Sequence, residues 1–158
     1  MTTLQFGQKP YKEYPLVPKF WQPKVAPSVQ NTSQIYHWQN LTAITRGEAD
    51  ELLLWDWVES GLTYSEMMRL LEVDGTDFTG EAKAAIAEQI EIQPAIVARF
   101  RRTGKIGFSG TELNIAKAAA HVMDSLITMD RHGIAWAARE WSNAQMVTLK
   151  AAAQGEIK

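Results

Sequence analysis

Proline is the residue that most constrains this chain, because five of its six prolines lie within the first 27 residues. Proline fixes one backbone torsion and cannot donate a backbone hydrogen bond, so a segment this rich in proline cannot form a helix. We therefore expect an extended arm over residues 1–33, partly in the polyproline II conformation. Docking on the chain's own core and docking on a partner are both compatible with this composition. The candidate partner-binding residues of the arm are aromatic: Tyr11, Tyr14, Phe20 and Trp21.

The rest of the chain, residues 34–158, has the composition of one domain. A chain of 158 residues, 46% of them hydrophobic, can bury a core without disulfides. It contains no cysteine, which excludes a disulfide framework, a thiolate metal site and a cysteine nucleophile. The first residues lack the pattern of a signal peptide, and no apolar run approaches the ~20 residues needed to span a bilayer. We expect a soluble cytoplasmic protein, or a virion component if viral, without membrane contact, cofactor or metal.

Charge is segregated along the chain in three blocks. Residues 1–45 carry four lysines and one acid, whereas residues 48–91 carry twelve acids and only two basic residues. From residue 92 onward nine basic residues outnumber five acids. Such asymmetry indicates that the blocks meet complementary surfaces, on a neighbouring protomer or on a polyanion. It favours a homo-oligomer or a complex with nucleic acid, although a solvated acidic face would produce the same acidic block.

Apolar periodicity and capping residues predict an all-α bundle of about six helices. Capping-box patterns at Thr45 and Thr63 predict helices over 46–60 and 63–73, separated by Gly61. Thr79 and Pro94 predict helices over 80–90 and 94–102. Thr111 opens a long helix that His132 and Gly133 close, and a final helix follows over 134–153. Residues 34–38 fit a short strand or a helical turn equally well.

The segment 82–102 resembles a helix-turn-helix DNA-binding motif without pointing to a particular family. Ile86, Ala87 and Ile90 fit the first helix, Ile92 the turn, and Val97 with Phe100 the second helix. The turn position that is usually glycine is Glu91, which departs from the pattern. The resemblance implies DNA contacts through five residues of the second helix and the loop after it: Gln93, Arg99, Arg101, Arg102 and Lys105.

Two functional hypotheses follow. The first is a non-enzymatic DNA-binding regulator or adaptor, in the manner of small genome-packaging terminase subunits. The alternative is a structural or assembly protein of a multiprotein or virion-like complex that docks through its arm. Catalysis is the weakest hypothesis: His121 and Asp124 share a helical face, but this spacing is common by chance, and no third ligand accompanies them. We predict no catalytic residues.

Overall fold

A computed structural model describes residues 27–155, with side chains described from residue 33 to residue 154. The predicted all-α class is confirmed, since these residues form helices and no strand. There are five described helices where the sequence predicted about six: α1 (Pro27–Thr45), α2 (Glu51–Val73), α3 (Gly80–Thr103), α4 (Gly110–Thr128) and α5 (Ile134–Gly155). Residues 27–33, predicted to belong to the arm, are the first turns of α1, because proline is tolerated at a helix start. The aromatic residues Tyr11, Tyr14, Phe20 and Trp21 lie outside the described residues.

Helix α2 passes straight through Gly61, where the sequence predicted a break. Its N-cap is Asp50, whose carboxylate accepts a hydrogen bond of 2.9 Å from the backbone N–H of Leu53. The predicted cap at Thr45 is wrong, since Thr45 is the last residue of α1 and its hydroxyl donates to the carbonyl of Leu41. Glycine weakens a helix by about 1 kcal/mol but does not forbid it, so packing decided this position.

Packing at Gly61 brings α2 and α3 into close contact. A methyl group at Gly61 would collide with the side-chain amide of Gln93 and lie 3.0 Å from that of Gln89. Both glutamines are buried, and the Gln93 amide donates to the backbone carbonyl of Val58 at 3.2 Å. Glycine at this position therefore leaves the space that the two amides occupy between the helices.

Helix α3 is continuous, so the predicted helix-turn-helix is wrong: no turn separates residues 82–90 from 94–102. The predicted cap at Thr79 is confirmed, since its hydroxyl accepts from Ala82 N–H at 3.1 Å. Pro94 lies inside the helix and cannot donate to the carbonyl of Ile90, which costs about 3 kcal/mol. One buried stripe crosses the expected turn without a change of spacing and offsets this cost: Ile86, Gln89, Gln93 and Ile96.

The remaining connections are set by side-chain caps. Ser109 and Glu112 form the capping box at the start of α4. The helix therefore begins at Gly110, one residue before the predicted start at Thr111. The predicted break at His132 and Gly133 is confirmed, and both residues adopt positive φ, at 57° and 74°. The buried carboxylate of Asp130 accepts from Ala135 N–H at 2.8 Å at the start of α5, and burial raises its pKa.

Helix α2 is the central element because it contributes to both parts of the core. Leu54, Trp57 and Val58 pack with residues of α1, α3 and α4 in one cluster. Met67 and Leu71 pack with residues of α3, α4 and α5 in the other. Pairs of contacts show that α3 and α5 each run antiparallel to α2. Along α2, Val58 contacts Gln93 of α3 and Glu72 contacts Lys83. Trp55 likewise lies beside Lys150 of α5, and Thr63 contacts Ser142.

We expect Gly61→Ala to lower the free energy of unfolding by about 1–2 kcal/mol, because displacing the Gln93 amide outweighs the better helix propensity of alanine. The matched control is Gly80→Ala, since Gly80 is exposed and a methyl group there meets nothing within 4 Å. Urea denaturation of both variants measures the difference. A Gly61→Ala protein as stable as the control would contradict the close packing of α2 on α3.

We expect Pro94→Ala to raise the free energy of unfolding by about 1–3 kcal/mol, because alanine restores the N–H that a continuous helix needs at this position. A proline in the first turn of a separate helix would be replaced with little effect. Thermal and urea denaturation therefore distinguish the two geometries, and an unchanged or lowered stability would contradict the continuous helix.

Candidate functional site

The structure places the five residues predicted to contact DNA in different surroundings. One is buried, one is paired with a carboxylate, and three are exposed. Gln93 is only 5% exposed and is bonded to α2, so it cannot reach a base edge without unpacking. The helix therefore presents Gln93 to the interior, which does not fit the predicted role in reading bases. Arg101, Arg102 and Lys105 are exposed at the end of α3 and just beyond it.

Arg99 is paired with α4 and with the loop before it. Its guanidinium donates to both carboxylate oxygens of Glu112, at 3.0 and 2.8 Å, and to the carbonyl of Gly107 at 3.0 Å. This bidentate pair lowers the pKa of Glu112 and ties the end of α3 to the start of α4. A phosphate could recruit Arg99 only by breaking these bonds.

An apolar groove lies between the C-terminal halves of α3 and α5, with α2 as its floor. Its volume is about 640 Å³. We call it the α3–α5 groove, and its apolar lining is Trp55, Val58 and Leu62 of α2, Ile90, Pro94, Val97 and Ala98 of α3, and Leu149, Ala152 and Ala153 of α5. The polar lining residues all belong to α3: Gln93 near the floor, and Arg101 and Arg102 at the end of the helix. No carboxylate is among the described lining residues.

The groove exists because its two walls pack on α2 and scarcely on each other. At Gly61 the helix α3 packs closely against α2. Helix α5 is joined to α2 separately, by the hydrogen bond between Thr63 and Ser142. Between α3 and α5, Trp55 is half-buried, with the ammonium of Lys150 located 5.8 Å from its ring centroid. Leu149 is 41% exposed at this opening.

Asp124, which the sequence paired with His121, is bonded to α1 instead. One carboxylate oxygen contacts His37 Nε2 at 2.8 Å, and the indole N–H of Trp38 donates to the other at 3.0 Å. The amide of Gln34 also donates to the backbone carbonyl of Asp124. His121 is exposed and meets Trp38 edge to face, with ring centroids 5.0 Å apart. Asp124 therefore joins α1 to α4.

A second, polar cleft of about 400 Å³ opens between α1, α2 and α5. The Tyr36 hydroxyl donates to Asp56 at 2.9 Å, and this bond raises the pKa of Tyr36. Burial raises the pKa of Tyr64, on the same cleft, to about 12. The phenols are therefore protonated donors at neutral pH.

Within the part of the chain that the structure describes, no three His, Asp or Glu side chains are grouped as a metal site. None of the helices over residues 27–155 combines the length and the apolar character required to cross a bilayer. No family model, no curated protein and no solved structure matches this chain. Any assignment of function therefore depends on the geometry of the molecule.

Sequence reasoning missed the α3–α5 groove because its lining comes from three segments far apart along the chain. Val97 was interpreted as a core anchor, and Pro94 as a helix start. The available signal was the apolar and small residues of the last helix, which continue through Leu149, Ala152 and Ala153. Their pattern does not reveal whether they face a core or an open groove.

The buried His37 predicts a measurable pH dependence of stability. Its carboxylate partner requires a hydrogen on Nε2, which leaves Nδ1 buried without a partner among the described residues. Burial lowers the pKa of His37 from 6.5, although Asp124 opposes the shift. Between the pKa of the unfolded chain, about 6.5, and the lower pKa of the folded chain, the unfolded state therefore binds more protons at this site. Stability decreases in this window as the pH is lowered, by at most about 1.4 kcal/mol per pH unit.

We expect His37→Gln to reduce this dependence between about pH 7.5 and 5.5, as measured by urea denaturation at a series of pH values. His121→Gln is the matched control, because it removes an exposed imidazole and leaves the bond between His37 and Asp124 intact. An equal slope in wild type and His37→Gln would show that His37 does not titrate in this window.

Proposed function

We propose that this protein is a non-enzymatic assembly or adaptor subunit that captures a segment of a partner protein in the α3–α5 groove. The observation that carries the proposal is the groove itself, an opening of about 640 Å³ lined mainly by apolar residues of three helices. Concave sites of this volume and lining are typical of ligand and peptide binding. Apolar surface that remains open to water favours a partner that covers it.

The arrangement of polar groups supports a binding role over a catalytic one. Asp124 is occupied by His37 and Trp38, and Asp56 accepts from Tyr36. These carboxylates hold helices together, and neither belongs to the groove. The groove offers shape, apolar contact and two arginines, which are the means of recognising a protein segment.

The N-terminal arm supplies a second contact in this proposal. Tyr11, Tyr14, Phe20 and Trp21 would anchor the arm on a neighbouring subunit, since buried aromatic side chains dominate many interfaces. Its four lysines, against one acid in residues 1–45, match the acidic block over residues 48–91. Comparing the molar mass of the full chain and of residues 27–158 by sedimentation equilibrium tests this role, and an unchanged oligomeric state would exclude it.

A DNA-binding regulator or adaptor is the second candidate, favoured by the exposed Arg101, Arg102 and Lys105. The continuous α3 supplies no separate recognition helix, so this role would use phosphate contacts of low sequence specificity. A salt titration of duplex-DNA binding measures it. If Arg101 and Arg102 both contact phosphate, the slope of log affinity against log salt is expected to become less negative by roughly 0.9 for each of them that is replaced by glutamate.

The groove is tested with two matched double variants and a random library of peptides about 18 residues long, or five helical turns. Ala98→Gln with Ala152→Gln places amides inside the groove, whereas Ala95→Gln with Ala151→Gln places them on exposed positions outside its lining. We expect peptides selected on the wild type to bind the first variant at least about tenfold more weakly and the second equally well. Fluorescence anisotropy measures both affinities. If no selected peptide distinguishes the two variants, the groove is not a binding site.

A further inference from the structure

We infer that the occupant of the α3–α5 groove is an acidic amphipathic helix of a partner protein, bound antiparallel to α3 and α5. This inference rests on the function proposed above and specifies the chemistry and direction of the partner. It follows from three features of the groove: its helical walls, its apolar floor and the position of its positive charge.

The walls favour a helix over an extended segment. An extended peptide in an apolar channel loses water from its backbone groups, and the helical walls offer no strand edge to pair with them. A helix satisfies its own backbone. Laid between α3 and α5 above Trp55 and Val58, it would complete a four-helix arrangement with α2.

Spacing along α3 fits the apolar face of such a helix. Pro94, Val97 and Arg101 lie on one side of α3 at intervals of three and four residues, which spans about 10 Å of helix axis. Opposite them, Leu149 and Ala152 of α5 are three residues apart. Apolar side chains at i, i+3 or i+4, and i+7 of a bound helix have the same period and can interdigitate with both walls.

Charge determines the chemistry of the partner. Arg101 and Arg102 are exposed, line the groove, and form no ion pair with the described residues. Lys150 lies at the same end, beside Trp55, whose indole N–H donates to the nearby Glu51 at 3.3 Å. Carboxylates on the occupant would complement the two arginines, whereas the chain's own lysine-rich arm would meet like charge.

Direction follows from where the arginines lie. They occupy the last turn of α3, and the parallel α5 ends on the same side. Acidic residues are most favourable in the first turn of a helix, where they also interact with its dipole. The bound helix is therefore expected to place its acidic N-terminus over Arg101 and Arg102, which makes it antiparallel to both walls.

The test uses three synthetic helical peptides with one identical leucine face and different charge. The first has three glutamates in its N-terminal turn, the second has glutamines there, and the third has lysines. Each is labelled with fluorescein and titrated with the full chain. We expect the glutamate peptide to bind about five- to tenfold more tightly than the glutamine peptide at low salt, and this difference to shrink at high salt.

The charge swap Arg101→Glu with Arg102→Glu is expected to reverse the order, so that the lysine peptide binds best. Both arginines are exposed, and circular dichroism with thermal denaturation verifies that the variant remains folded. A fourth peptide, with its glutamates moved to the C-terminal turn, tests direction. If it binds as tightly as the first, the antiparallel orientation is wrong.

The outcomes separate this inference from the proposed function. If all peptides bind equally and the Ala98→Gln, Ala152→Gln variant weakens each of them, the groove binds protein segments but the acidic partner is wrong. If that variant has no effect on any peptide, both fail. If duplex DNA binds through the two arginines while no peptide does, or if the groove variant dissolves a dimer of the chain, the acidic helix is replaced by DNA or by a second copy.

Discussion

The contact of Gly61 with Gln89 and Gln93 determines how closely α3 approaches the central helix α2. A side chain at position 61 would have to displace the Gln93 amide or move α3 away from α2, because the two buried amides lie where a methyl group would be placed. The bond from Gln93 to the carbonyl of Val58 then sets the position of α3 along α2. Pro94 and Val97 follow directly on this contact, so the wall of the α3–α5 groove depends on it.

Polar side chains fix the positions of the outer helices around this centre. Asp124 joins α4 to α1 through His37 and Trp38, and Arg99 joins α3 to α4 through Glu112. In each case a charged side chain that could bind a ligand forms bonds between two helices instead. What remains available on the surface of α3 is its C-terminal end, where Arg101 and Arg102 border the apolar groove.

This division of the basic residues changes the functional interpretation of α3. Five cationic or polar residues near its end suggested a DNA-reading surface, but one is buried and one is paired. Of the three that remain, Arg101 and Arg102 line the apolar groove, where positive charge would give direction and specificity to the proposed protein contact. A phosphate-binding role would explain only the exposed cations. A protein segment bound in the groove would explain both the cations and the apolar residues beside them.

The sequence by itself determined the all-α class, the cap at Thr79 and the break at His132 and Gly133, because periodicity and capping are local properties. It could not determine that α2 continues through Gly61 or α3 through Pro94. Local propensity opposes a helix at both positions by about 1–3 kcal/mol, and only burial against distant segments offsets that cost. The tertiary structure also decided the pairing of Asp124 with His37 and the groove itself, because both join residues whose separation along the chain carries no periodic signal.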